Sequence, residues 1–450
     1  MKNIIQHSPL FGRYFVLCIL FVVVVTGTLS GRGLYADGPY WLYHMLLNGG
    51  LYIFDPHRAY AQFVVELPVY LAIELGMRDI NALIRVHSFG FIGMPIIFWS
   101  WALILQFRTP VFWLLALACS VTYLRSDFFA AGEFNLAYGL VALCIAIILR
   151  KQITTFQTLV LLSASVVLLY AYESMLFIGI FLFVTCIVRL ISEASDSRST
   201  KFAIAISSCL YLYAAYVGAH STFVDRAENL RAAINYGALF EPHVLYLIAM
   251  IVFSVLMLIG RLQDVAKFSI AVFAAIISII YFLYIVRWDK TGISYGFYSY
   301  AYRSLGAFMM VGILSVAWLM TSFPALVKRG MIKVNVPLLC CVVSLVFILQ
   351  SGTLLFHTAG YYRWLKTFEA AAMTVEGLVP IDQTEFGKGY GAVSGYNWPW
   401  SNATLSVLLR GNAEAMITNA SNFDGWETFD PKTIEKYPLK KYTKSSPLFP

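Results

Sequence analysis

The sequence predicts an all-α polytopic membrane protein. Of its 450 residues, 60% are hydrophobic and only 12% are charged, whereas soluble globular domains carry roughly 25% charged residues. Apolar segments long enough to cross a hydrocarbon core of ~30 Å recur along the chain as far as Phe356. The mean hydropathy of +0.73 agrees with this pattern. Most of the chain is therefore expected to fold within a bilayer.

Eleven apolar segments are predicted to form transmembrane helices. The first is interpreted as a crossing rather than a signal peptide, because it is long and no A-x-A-like cleavage site follows it. The eleven lie near residues 14–30, 88–106, 110–124, 134–149, 155–171, 174–191, 202–219, 243–260, 267–286, 304–323 and 334–356.

The distribution of basic residues predicts that the N-terminus is cytoplasmic. With this orientation, the inner loops between residues 106 and 333 hold eleven Lys or Arg residues and three acids. The outer loops of the same span hold six Lys or Arg residues and seven acids. This excess matches the positive-inside rule. The basic residues are spread over short loops rather than gathered in a stripe, so the net charge of +8 reflects the orientation of the chain in the membrane. No nucleic-acid partner is expected.

Two outer regions accompany the predicted transmembrane bundle of residues 1–356. The first outer loop covers 31–87, and within it 62–77 is predicted to be an interfacial helix, because it is short and contains Glu66 and Glu74. Residues 357–450 are predicted to form a small extracytoplasmic domain. Six of the seven histidines lie on or next to this outer face, whereas all seven cysteines fall inside predicted crossings. Chemistry is therefore expected outside, without a disulfide framework.

Two carboxylates in the first outer loop are candidate catalytic bases. Asp37 lies in "YADGPYW" and Asp55 in "FDPHR". Partial desolvation at a membrane surface would raise the pKa of either carboxyl toward values that suit proton abstraction from a hydroxyl. In the alternative interpretation, Asp37 opens the turn before Gly38 and Asp55 caps the helix that begins at Pro56. Both interpretations stay open at the level of sequence.

The same loop holds the first candidate substrate-binding residues. Tyr40 and Trp41 could stack on sugar rings, although aromatic belts at membrane surfaces have the same appearance in sequence. His57 and Arg58 adjoin Asp55. A divalent metal bound by His57, Asp55 and a further acid is an open hypothesis, but no spaced His/Asp signature supports it, so no metal ligand is assigned and no cofactor is certain.

Three later segments add candidates. "RSDFFAAGEFN" offers Asp127 and Glu133 as acids and Arg125 as a substrate ligand, with a solvated loop as the alternative. Glu173 is an isolated charge in an apolar stretch, where a mid-bilayer acid would cost about 2.5–3.5 kcal/mol, so it is expected in a loop or a lined cavity. Cations in the last segment could hold a lipid phosphate or snorkel to headgroups. They are Arg287, Lys290 and Arg303.

This layout resembles the GT-C class of membrane glycosyltransferases. The shared features are an N-in first crossing, a long first outer loop with an acid, an interfacial helix, a second acid-bearing loop and a C-terminal outer domain. Here the first loop offers two isolated candidate acids, Asp37 and Asp55, whereas many members carry paired acids. The resemblance implies inverting transfer of a sugar from a polyprenyl-phosphate carrier, with Asp37 or Asp55 as base and Arg or Lys stabilising the departing phosphate.

The predicted function is therefore transfer of a sugar to an extracytoplasmic glycan, lipid or protein acceptor. The expected location is the bacterial inner membrane, with the active site facing outward. The alternatives are a polytopic transporter, which would need ionisable residues or broken helices near mid-membrane, and a polysaccharide polymerase or assembly protein of the cell envelope.

Overall fold

The computed structural model describes most of the chain as helix. The described residues are 2–126, 132–192, 196–225, 240, 242–258, 262–288, 299–323, 336–391, 395–418, 439, 441–444 and 446–448. The helices are α1 (Lys2–Leu29), α2 (Gly38–Asn48), α3 (Ala59–Glu74), α4 (Ile80–Leu105), α5 (Val111–Val121), α6 (Tyr123–Ser126), α7 (Glu133–Ile148), α8 (Thr155–Val167), α9 (Met175–Ser192), α10 (Arg198–His220), α11 (Pro242–Leu256), α12 (Asp264–Trp288), α13 (Ser299–Ser322), α14 (Val336–Thr374) and α15 (Asn402–Arg410). Strands β1 (Leu378–Pro380) and β2 (Met416–Thr418) pair in parallel. This short pair is the only sheet among the described residues, so the predicted all-α class is confirmed.

Each of the eleven predicted apolar segments overlaps a helix in the described part of the chain. Within the described residues, six helical stretches are long and apolar enough to cross a membrane: Leu10–Leu29, Ile80–Leu105, Met175–Ser192, Arg198–Val224, Arg303–Ser322 and Val336–Thr374. The other five segments lie on shorter apolar helical stretches of 10–17 residues, of which Val265–Tyr281 is part of α12. A membrane protein is thus supported, while the total of eleven crossings stays a prediction.

The shorter helices α5 and α7 lie in the interior of the bundle. Every residue of both is buried, because α7 packs against α4, and α5 packs against α13 and α14. The longer helices instead expose large apolar side chains, such as Phe21 and Phe273. Exposed apolar faces of this kind suit contact with lipid, whereas the buried helices pack only against protein.

Helix α3 occupies the region predicted as an interfacial helix and packs closely against α4. The contact depends on Gly90 of α4, since a Cβ atom at this position would overlap the backbone carbonyl oxygen of Val65 in α3. Pro68 lies inside α3, and its Cδ atom is 3.8 Å from the same Cβ position. The location of α3 at the membrane surface stays a prediction.

The C-terminal region packs against the ends of several helices. Helix α14 has 39 residues and is about 58 Å long, so it continues through residue 356, where the sequence predicts the start of an outer domain. Helix α15 packs against α14 and α2. The C-terminal tail is hydrogen-bonded to the start of α4: the backbone N–H of Ile80 donates to the carbonyl of Thr443 at 2.9 Å. The division at residue 356 itself stays a prediction.

We expect Gly90→Ala to lower the thermal unfolding midpoint in detergent. The added methyl group must push α3 and α4 apart, and overpacking of this kind costs about 1–3 kcal/mol. The matched control is Gly312→Ala in α13, where nothing lies within 4 Å of the added Cβ and the higher helix propensity of alanine favours the helix. Equal midpoints for the two variants would contradict the close α3–α4 contact.

Candidate functional site

Five charged residues from separate parts of the chain form one charged cluster. Arg58 Nη2 lies 2.5 Å from Glu173 Oε1. The charges of Arg303 and Arg58 act on the carboxyl of Asp37, and all three act on Glu133. The sequence predicts each of these residues as a site candidate, two from the first outer loop and three from later segments, and the structure brings them together. Their chemical roles stay predictions.

The members of the charged cluster lie at the N-terminal ends of their helices. Asp37 precedes α2, and Arg58 precedes α3. Glu133 is the first residue of α7, Glu173 lies in the turn before α9, and Arg303 is in the first turns of α13. The partial positive charge at a helix N-terminus stabilises anions. The three carboxylates are therefore stabilised by helix N-termini as well as by the two guanidinium groups.

Asp37 occupies the N-cap position of α2, yet its side chain makes no capping hydrogen bond. The preceding turn is tight, because a Cβ on Gly38 would overlap the carbonyl oxygen of Gly33. Burial raises the pKa of Asp37 to about 6, although the charges of Arg303 and Arg58 oppose the rise. The carboxylate of Asp37 is therefore basic and is not used for capping.

Asp55 is used structurally. Its Oδ1 accepts a hydrogen bond from the backbone N–H of His57 at 3.0 Å, and its Oδ2 lies 3.1 Å from Arg58 Nε. The side chain is buried. The interpretation of Asp55 as the cap of the segment beginning at Pro56 is confirmed. Between the two predicted bases, the geometry therefore favours Asp37.

Arg58 connects the first outer loop to the start of α9. Its guanidinium contacts Asp55 and Glu173 and lies 4.7 Å from the ring centroid of Tyr172. Burial alone would lower the pKa of Arg58, but the charges of Glu173 and the other nearby acids raise it well above the ordinary value. Arg58 is therefore a fixed, buried cation.

Aromatic residues hold Arg303 in place. Its Nη1 donates to the hydroxyl of Tyr172 at 3.2 Å, and its guanidinium carbon is 4.6 Å from the ring centroid of Phe134. The hydroxyl of Tyr138 donates to the backbone carbonyl of Arg303 at 3.0 Å. The guanidinium is thus fixed beside the ring of Phe134, next in sequence to Glu133.

Two polar residues of α3, Gln62 and Glu66, hold the loop that leads to Arg58. The N–H of Tyr52 donates to Glu66 at 3.1 Å, the N–H of Phe54 donates to Gln62 at 3.1 Å, and Gln62 donates to the carbonyl of Tyr52 at 2.7 Å. Burial raises the pKa of Glu66 to about 8. This function is not among the predictions made from the sequence, although a polar pair four residues apart on an apolar helix shares one face.

The other predicted residues differ in position. Tyr40 lies one turn after Asp37, whereas Trp41 is buried against Phe91 at a centroid distance of 5.2 Å and packs in the core. His57 is partly buried in the segment capped by Asp55. Asp127 and Lys290 lie outside the described residues, as do the side chains of Arg125 and Arg287.

No group of three or more His, Cys, Asp or Glu residues suited to a metal ion occurs in the described parts of the chain. The hypothesis of a metal held by His57 and Asp55 therefore gains no support, since the carboxylate of Asp55 is directed to Arg58 and to the N–H of His57.

No family model, curated protein or solved structure matches this chain. Support for a function of the charged cluster therefore comes from its own residues and their surroundings.

We expect Glu173→Ala to destabilise the protein by about 3 kcal/mol, the lower end of the range for breaking a buried ion pair, because Asp55 still contacts Arg58. The matched control is Glu385→Ala. Glu385 pairs with Lys388 at 2.8 Å, but its side chain is 92% exposed, so no measurable change is expected. Thermal unfolding in detergent checks both variants, and similar midpoints would contradict a structural role of the Arg58–Glu173 pair.

Proposed function

We propose that this chain is a GT-C-like membrane glycosyltransferase. It moves a sugar from a polyprenyl-phosphate carrier to a glycan, lipid or protein acceptor, with inversion at the anomeric carbon. The observation that carries the proposal is the position of Asp37: its carboxylate makes no capping hydrogen bond and is acted on by the charges of two buried guanidinium groups, Arg303 and Arg58. A base and phosphate-stabilising cations are the two requirements of this reaction.

In the proposed reaction, Asp37 accepts the proton of an acceptor hydroxyl. The hydroxyl oxygen then forms a bond to the anomeric carbon while the bond from that carbon to the phosphate oxygen breaks. The leaving lipid phosphate carries the negative charge, which Arg303 and Arg58 stabilise. A single displacement from the opposite face inverts the anomeric carbon. With a pKa of about 6, Asp37 is ionised at neutral pH yet more basic than an ordinary aspartate.

The apolar cleft beside α3 supports the proposed lipid donor. This cleft has a volume of about 550 Å³ and is lined by apolar residues of α3, its C-terminal turn and α4, including Pro68, Leu71, Leu75 and Val86. Arg58 directly precedes α3, and Leu71 lies about 20 Å from it along the axis of this helix. A polyprenyl chain in the cleft would therefore run along α3 with its phosphate near the charged cluster.

The proposed membrane arrangement has eleven crossings, a cytoplasmic N-terminus and the charged cluster on the outer face of a bacterial inner membrane. The bias of basic residues toward the inner loops supports this orientation. Transport is the weaker alternative, because Glu173 lies in a turn before α9 and pairs with Arg58 rather than occupying the middle of a helix. A polymerase or assembly protein would place a different reaction at the same face.

We expect Asp37→Asn to lower sugar transfer about 10²- to 10⁴-fold, because the variant lacks the proton acceptor. Asp55→Asn should retain most of the turnover of folded protein while lowering the thermal midpoint, since Asp55 acts as a cap and a partner of Arg58. The measurement is transfer of labelled sugar from polyprenyl-phosphate donors by protein in lipid. Full activity of Asp37→Asn, or selective loss in Asp55→Asn at unchanged stability, would contradict this assignment.

We expect the rate of transfer to fall as pH drops below about 6, because the pKa of Asp37 has this value and its protonated form cannot act as a base. This fall is the acidic limb of the pH–rate profile. Removing a nearby positive charge disfavours the ionised carboxylate, so Arg303→Gln should move the acidic limb to higher pH. Arg85→Gln alters an exposed cation of α4 and should leave the limb in place. A limb that does not move in Arg303→Gln would argue against Asp37 as the titrating group.

A further inference from the structure

A group of aromatic rings beside Asp37 is built from distant parts of the chain. Tyr40 lies one turn after Asp37 on α2, and its centroid is 4.4 Å from that of His44 and 5.2 Å from that of Trp400. Tyr52 and Phe54 lie at 5.7 and 5.9 Å from it. These residues, here called the ring cluster, are Tyr40, His44, Tyr52, Phe54 and Trp400.

The C-terminal segment 395–402 contributes to both the charged cluster and the ring cluster. The indole of Trp398 lies near the carboxyl of Asp37, and its ring centroid lies 6.3 Å from that of Tyr35. Trp400, two residues later, contacts Tyr40. Both indoles are partly exposed. One short segment therefore presents two large aromatic faces next to the candidate base.

The segment is held in a fixed position. The hydroxyl of Tyr35 donates to the carbonyl of Gly395 at 3.3 Å, and the hydroxyl of Ser401 donates to the carbonyl of Trp398 at 3.1 Å. Tyr396 packs so closely on α14 that a Cβ on Gly360 would overlap its hydroxyl. Aromatic side chains fixed before binding lose little conformational entropy when a ligand arrives.

The ring cluster differs from an interfacial aromatic belt. Its rings pack around Tyr40, which is only 9% exposed, whereas Phe54 at the edge is 53% exposed. A polar edge is present as well, because the hydroxyls of Tyr40 and Tyr52 are 3.0 Å apart. A surface with aromatic faces and a few fixed polar groups suits a ligand that has an apolar face and a polar rim.

We propose that the ring cluster, together with Trp398, binds a pyranose saccharide as the acceptor. A pyranose presents C–H groups on one face and hydroxyls around its edge, which match the indole faces and the tyrosine hydroxyls. Binding here brings an acceptor hydroxyl to Asp37, since Tyr40 is three residues from it on the same helix and the indole of Trp398 lies near its carboxyl. The acceptor role rests on the proposed function, but saccharide binding does not.

The test is direct binding of mannose, glucose and N-acetylglucosamine trisaccharides to the full chain in lipid nanodiscs, measured by ligand-observed NMR without a donor lipid. At least one trisaccharide should bind, and Trp400→Ala should weaken its binding about tenfold. Trp400→Phe should restore most of it. The matched control is Trp101→Ala, which removes another partly buried tryptophan, stacked on Phe156. Trp101 lies about 31 Å along α4 from the first residue of that helix. This variant should bind the trisaccharide like the wild type.

Absence of binding by the wild type, or equal binding by Trp400→Ala, would overturn the saccharide site. Loss in Trp400→Ala without recovery in Trp400→Phe would also overturn it, as this pattern indicates a structural role. If sugar transfer occurs but binding does not depend on Trp400, only this inference fails. If Trp400-dependent binding occurs while no lipid donor supports transfer, the proposed function fails and the saccharide site stands.

Discussion

The ion pairs of Arg58 are the interaction on which the rest of the site depends. This buried guanidinium contacts Asp55 within its own loop and Glu173 before α9, and its charge acts on Asp37 and Glu133. A buried cation is costly unless acids surround it. The same requirement that stabilises Arg58 thus draws separate segments of the chain together, and it places Asp37 where its pKa suits a base.

Helix packing supplies the positions that these charges need. The close approach of α3 to α4 at Gly90 fixes the helix from which Gln62 and Glu66 bind the backbone of residues 52–54. That backbone leads directly to Asp55 and Arg58. A change at the helix contact is therefore transmitted to the charged cluster through the loop, although no residue of that contact belongs to the cluster.

The sequence predicts the apolar helices well, because a long apolar run is a local property. It also predicts Asp37, Glu133, Glu173 and Arg303 as site candidates, since charges are conspicuous in so apolar a chain. Local pattern does not distinguish Asp37 from Asp55, because both precede a glycine or proline turn, and only the bonds of Asp55 to His57 and Arg58 separate them. Trp398 and Trp400 were missed for a related reason: their proximity to Asp37 depends on contacts between residues more than 350 positions apart.

The most direct test of the central claim is a structure of the protein in lipid nanodiscs with a non-transferable polyprenyl phosphonate sugar. Our account predicts the phosphonate against the guanidinium groups of Arg303 and Arg58, the anomeric carbon facing the side of Asp37, and the lipid chain along α3. A ligand whose phosphonate lies away from both arginines, with the sugar out of reach of Asp37, would contradict the assignment of this charged cluster as a glycosyl-transfer site.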